Sequence, residues 1–189
     1  MSTMGMSRNG LWEVSSRVIV YAAIGAALYA ISAQFSMLIP GTASVSVRPG
    51  FAFVTFFGFA FGPVAGLFTG LVGNALADQI SGWGLLTSWN WSVAAGVVGL
   101  LAGLTPSFLK SWMGTPSRML AAAAVGPAVA VIVGYLIVIS DIVLGTAENL
   151  NVVFADNYGP VVVSNVITVV ILTPILVAAW QPIKEQLGR

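Results

Sequence analysis

Asn74 and Asp78 are four residues apart, so a helix carrying them presents both on one face. Asp141 and Asn165 stand near the ends of two further apolar stretches. The segment QISGWGLLTSWNW follows Asp78 and holds Trp83, Trp89, Asn90 and Trp91. A second polar segment, GTAENLNVVFADNYGP, holds Glu148, Asn149, Asn151, Asp156, Asn157 and Tyr158. Amides and carboxylates fix a ligand by hydrogen bonds, and indoles wall a flat ring. Aromatic walls with a few convergent polar groups are the composition of a small-molecule pocket. Ionisable groups at membrane depth are costly and mark function. Either acid alone reads as an ordinary cap or interface residue; the cluster reads as a pocket.

Catalysis fits this inventory poorly. The chain has no Cys and no His, which removes the thiol nucleophile, the commonest general base and the commonest transition-metal ligand. No metal site or cofactor is expected. The two acids lack the glycine-aspartate context of intramembrane aspartyl proteases: the local sequences are ALADQ and VISDIVL. Ser-Lys chemistry would need Lys110 or Lys184, and both fall on the opposite face from the cluster. A channel is disfavoured too, because polarity stops halfway along the helices. The net charge of +1 leaves no nucleic-acid footprint.

The elements that hold these groups follow from composition. The 189 residues are 58% apolar and 7% charged. Soluble domains carry roughly 25% charged residues, so this chain reads as an all-α membrane protein forming a single domain over its whole length. Six transmembrane helices are expected at about 17–39, 51–62, 63–80, 91–109, 119–144 and 161–180, each near the ~20 residues a span requires or paired with a neighbour at a turn. The run from Val18 to Ala33 imitates a signal peptide, but it continues to Ile39 and reads as an uncleaved first helix. Gly62-Pro63 is a tight turn between helices 2 and 3. Gly66, Gly70 and Gly73 on helix 3 and Gly96, Gly99 and Gly103 on helix 4 permit close helix approach. Between helices 1 and 2, Val45 and Val47 alternate with Ser44 and Ser46, as in a short extended piece. Gln181-Pro182 is expected to end helix 6.

This division separates the charges. Arg8, Arg17, Lys110, Arg118, Lys184 and Arg189 fall on one side, with Glu13 and Glu185, and Arg48 alone among the basic residues falls on the other. Cytoplasmic loops retain Lys and Arg, so both termini are expected in the cytoplasm and the polar cluster outside. Arg48 with Asp78, Asp141, Glu148 and Asp156 gives the outer face a net charge of −3.

The block SVSVRPGFAFVTFFGFAFGPVAGLFTGLVGNALAD, a basic loop residue followed by an aromatic helix, a Gly-Pro turn and spaced glycines, resembles the substrate-binding S components of energy-coupling factor (ECF) vitamin transporters. GWGLLTSWNWSVAAG is similar to the Trp-rich loop of the riboflavin-type subgroup. The resemblance covers roughly residues 15–182. It implies a subunit of the prokaryotic cell membrane that binds a water-soluble vitamin from outside. It also implies partners: a transmembrane coupling subunit and two cytoplasmic ATPases. No GxxxxGK[ST] motif occurs here, so ATP hydrolysis would belong to those partners. The resemblance makes the stripe Ala22, Ala26, Ala30 the docking face for the coupling subunit; by spacing alone it serves equally well for packing within the bundle. The expected ligand is riboflavin, by resemblance and neutrality. Thiamine or its pyrimidine precursor comes second, because the outer face is acidic and tryptophans attract cations. The residues expected to contact the ligand are Arg48, Asn74, Asp78, Trp83, Trp89, Asn90, Trp91, Asp141, Asn157, Tyr158 and Asn165.

Overall fold

The computed structural model describes residues 11–12, 14–42 and 45–186; Arg8, Glu13, Ser44 and Arg189 lie outside the described residues. The chain forms α1 (Ser16–Ser32), β1 (Met37–Leu38), β2 (Ser46–Val47), α2 (Phe51–Phe61), α3 (Pro63–Ile80), α4 (Trp89–Phe108) and α5 (Pro116–Gly134). The last of these tightens into 3₁₀ turns over Tyr135–Asp141. A single turn, α6 (Leu150–Val152), then leads through a widened stretch, Val153–Tyr158, into α7 (Gly159–Gln186). Three helical stretches are long and apolar enough to cross a membrane: Trp89–Phe108, Pro116–Asp141 and Leu150–Gln186.

The first helix is shorter than its apolar run. It stops at Ser32, and Met37–Leu38 pairs antiparallel with Ser46–Val47. Gln34 ends it by turning its side-chain amide back onto the Ala30 carbonyl at 3.0 Å and across to the Ala77 carbonyl at 3.4 Å. Those contacts satisfy carbonyls that a helix terminus leaves open. Hydrophobicity continues to Ile39; the helical hydrogen bonding does not.

The other end of the chain departs in the opposite sense. The polar segment GTAENLNVVFADNYGP, expected to lie between helices 5 and 6, is helical from Leu150 onward, and α7 runs through Pro182 to Gln186. Asn149 fixes the start of α6: its side chain accepts from the Val152 amide at 3.1 Å, a side-chain N-cap.

Glycines set the centre of the bundle. A Cβ on Gly66 would meet the Gly99 backbone, and one on Gly99 would meet the Gly66 backbone. Helices α3 and α4 therefore touch backbone to backbone. Gly62 (φ 101°) joins α2 to α3 in a conformation that side chains resist, and Pro63 opens α3.

Alternating helix directions sort the ends. Tyr21 stacks on Phe61 at 4.1 Å, and Phe61 meets Trp180 at 5.1 Å. Gly103 lies against Pro63. These contacts gather the start of α1, the end of α2 and the ends of α4 and α7, and with them Arg17, Lys110, Arg118 and Lys184. Arg48 is at the other end. With 11 residues, α2 rises about 16 Å, near half of a ~30 Å hydrocarbon core. The segment before it must descend to meet it, and this leaves a recess at the Arg48 end.

Candidate functional site

Into that recess project side chains from α1, β2 and its following turn, α2, α3, α4, the 3₁₀ turns after α5, and α7. Of the residues expected to contact a ligand, Arg48, Asn74, Asp78, Trp83, Trp91 and Asn165 line the cavity. Tyr29, Phe51 and Tyr135 line it as well, with Val45, Ser46 and Val161. None of those six is among the residues expected from sequence to contact a ligand, although Val45 and Ser46 belong to the expected extended piece. The tyrosines had a usable signal, since a phenol inside an apolar helix needs a partner for its hydroxyl.

The cavity floor is a hydrogen-bonded knot. Arg48 Nη1 approaches Asp78 Oδ1 at 3.3 Å and Asn74 Oδ1 at 3.3 Å, and its Nη2 reaches Asp78 Oδ1 at 3.4 Å. Asn74 donates to Asp78 Oδ2 at 3.0 Å and to Ser92 Oγ at 3.2 Å. The Tyr29 hydroxyl donates to Asn74 Oδ1 at 3.0 Å. Asn74 is the hub because the helical spacing of Asn74 and Asp78 stacks them beneath the guanidinium. Burial acts to lower the Arg48 pKa; Tyr29 and Asp78 beside it raise it by more, and the net shift is upward. The lining thus carries one cation and one anion that cancel. The −3 of the outer face is not the charge of the cavity.

The walls are aromatic. Tyr29 meets Phe51 edge-on at 5.7 Å, Phe51 meets Tyr135 at 5.7 Å, and Tyr135 meets Trp91 at 6.2 Å. The cavity volume is about 90 Å³, less than the ~150 Å³ of a cavity that holds benzene.

Five expected contacts do not reach the cavity. Asp141 is buried behind Trp91 and accepts from Asn90 Nδ2 at 2.7 Å, Trp91 Nε1 at 3.2 Å and Asn157 Nδ2 at 2.9 Å. Asn90 also donates to Ser140 Oγ at 3.0 Å. These residues hold the cavity wall from behind. Tyr158 donates to the Ile132 carbonyl at 2.8 Å, away from the cavity. Trp89 is 49% exposed; residues two apart on a helix point to different sides, and Trp91 takes the inner one.

The alanine stripe is also placed differently from the docking expectation. Ala22, Ala26 and Ala30 are buried, and a Cβ on Gly73 would meet the Ala26 backbone. The Thr69 hydroxyl donates to the Ala22 carbonyl at 3.4 Å. The stripe packs on α3 inside the bundle, so in this conformation it offers no free face to a partner.

A family model described as the ECF-type riboflavin transporter S component matches residues 13–181. The chain belongs to that family. An S component is the substrate-binding membrane subunit of its transporter, which agrees with a recess of neutral, aromatic-walled character. A UPF0397 protein of Vibrio atlanticus (strain LGP32) is 34% identical over 97 residues, 51% of this chain and 52% of the relative. The chain thus spans about half the length of the curated relative it matches. No solved structure matches.

Proposed function

We propose that this S component binds riboflavin from outside the cell, in the cavity between Arg48 and Trp91, and hands it to a membrane coupling subunit energised by two ATPases. The observation that carries the ligand choice is the cancellation of charge in the cavity. Arg48 and Asp78 neutralise each other at 3.3 Å, so the site has no net charge with which to select a cation or an anion. A neutral flat ring is what the aromatic walls favour, at ~0.5–1.5 kcal/mol for each aromatic pair beyond area burial. Family membership supports the same ligand. The gathering of Arg17, Lys110, Arg118 and Lys184 at the opposite end supports the outward direction, and with it a six-span topology with both termini in the cytoplasm.

Calorimetry on the purified protein against a vitamin panel, without ATP or ATPase subunits, tests the reading. Saturable binding of riboflavin at one site per chain is expected. Preferential binding of thiamine or its pyrimidine would replace the ligand, and no binding by any panel member would refute a vitamin site.

A further inference from the structure

Asn165 is 3% exposed, on the first turns of α7, and lines the cavity. Its Nδ2 donates to the Tyr135 hydroxyl at 3.3 Å. Its Oδ1 has no partner, the one buried side-chain nitrogen or oxygen in that state among the described residues. Native structures leave few such atoms, because an unmet buried acceptor is destabilising. The neighbouring hydroxyls on α7 are committed to backbone: Ser164 donates to the Val161 carbonyl at 3.2 Å and Thr168 to the Ser164 carbonyl at 2.9 Å. Across the cavity, Arg48, Asp78, Asn74 and Tyr29 engage one another. That acceptor is thus buried and unpaired, in a residue that lines the cavity.

Tyr135 adds the second half of the pattern. Its oxygen accepts from Asn165, and among the described residues that hydroxyl donates to no other group. An unpaired carbonyl acceptor thus stands beside a hydroxyl whose proton has no acceptor among the described residues. The complement is a ring edge with an N–H next to a C=O.

We propose that Asn165 and Tyr135 read a lactam or imide edge of a flat heterocycle, with Asn165 Oδ1 accepting the ring N–H and the Tyr135 hydroxyl donating to the adjacent carbonyl. This deepens the riboflavin reading and rests on it. The isoalloxazine ring has one ring N–H, flanked by carbonyls, and methylation at that nitrogen removes the donor while keeping the ring.

The test titrates riboflavin and 3-methylriboflavin into the wild type and Asn165→Leu, and melts both proteins without ligand. Sites built to pair a polar group reject analogues that lack it, so methylation is expected to weaken wild-type binding by at least about tenfold. Asn165→Leu is expected to bind riboflavin at least about tenfold more weakly and to treat the two flavins alike, the melts serving to show that both proteins are folded. A wild type that binds both flavins equally overturns the inference and spares the riboflavin reading. A folded Asn165→Leu protein that still discriminates the two flavins as the wild type does also overturns it, since another group would then read the ring N–H. A wild type that binds neither flavin removes the riboflavin reading and this inference together.

Discussion

Arg48 and Asp78 hold each other's charge in a recess where neither is fully wetted, and this makes the pair sensitive to losing one member. Arg48→Met leaves a mostly buried carboxylate with Asn74 as its remaining partner. We expect a stability loss of up to about 3 kcal/mol, since breaking a buried pair strands a charge. Adding Asp78→Asn should recover much of it; a thermal double-mutant cycle showing no coupling would argue against the pair. Asp141 predicts something different. Its carboxylate takes hydrogen bonds from Asn90, Trp91 and Asn157, so Asp141→Ala strands three donors at ~1–3 kcal/mol for each that stays buried. The expected result is a loss of stability, with weakened binding that follows from a misplaced Trp91. Binding unchanged in a stable Asp141→Ala protein would show that the wall stands without it. The polar half of the site was legible because Asn74, Asp78 and Asn165 interrupt apolar sequence. Tyr29, Phe51 and Tyr135 were not, since an aromatic in an apolar run reads equally as packing. Asp141 and Asn90 carried the right chemistry but bond to each other, a pairing that depends on tertiary geometry.

Helices lend these residues their positions, and their boundaries were the least readable feature. The turn at Gly62-Pro63 and the glycine contacts of α3 and α4 were plain in sequence, because their residue types admit few alternatives. The end of α1 was hidden because Gln34 stops it by capping, while the apolar run continues to Ile39. The helical stretch from α6 into α7 was hidden because polar composition suggested a loop where Asn149 caps α6. The alanine stripe shows the limit of spacing: it marks close approach without saying to what. Since the stripe packs on α3, Ala26→Leu places branched bulk against Gly73. Overpacking of this kind costs about 1–3 kcal/mol, so we expect lower thermal stability and weaker binding together. An Ala26→Leu protein that keeps its stability and ligand affinity but loses uptake would return the stripe to a docking role.

The whole molecule is a bundle with a basic end and a recessed end. Composition made the bundle legible, and the distribution of Lys and Arg made its orientation an expectation. The local charge of the cavity was beyond reach, because a face-wide sum of −3 cannot show that Arg48 and Asp78 are paired. The chain contains no cysteine, so one introduced thiol reports one place. Ser46 lines the cavity and is partly exposed, which makes Ser46→Cys the probe of choice. Intact cells expressing it are treated with a membrane-impermeant maleimide, with and without riboflavin. We predict labelling from outside, slowed when riboflavin occupies the cavity. Labelling only after permeabilisation, or at a rate that riboflavin leaves unchanged while it is bound, would contradict an outward-facing flavin site.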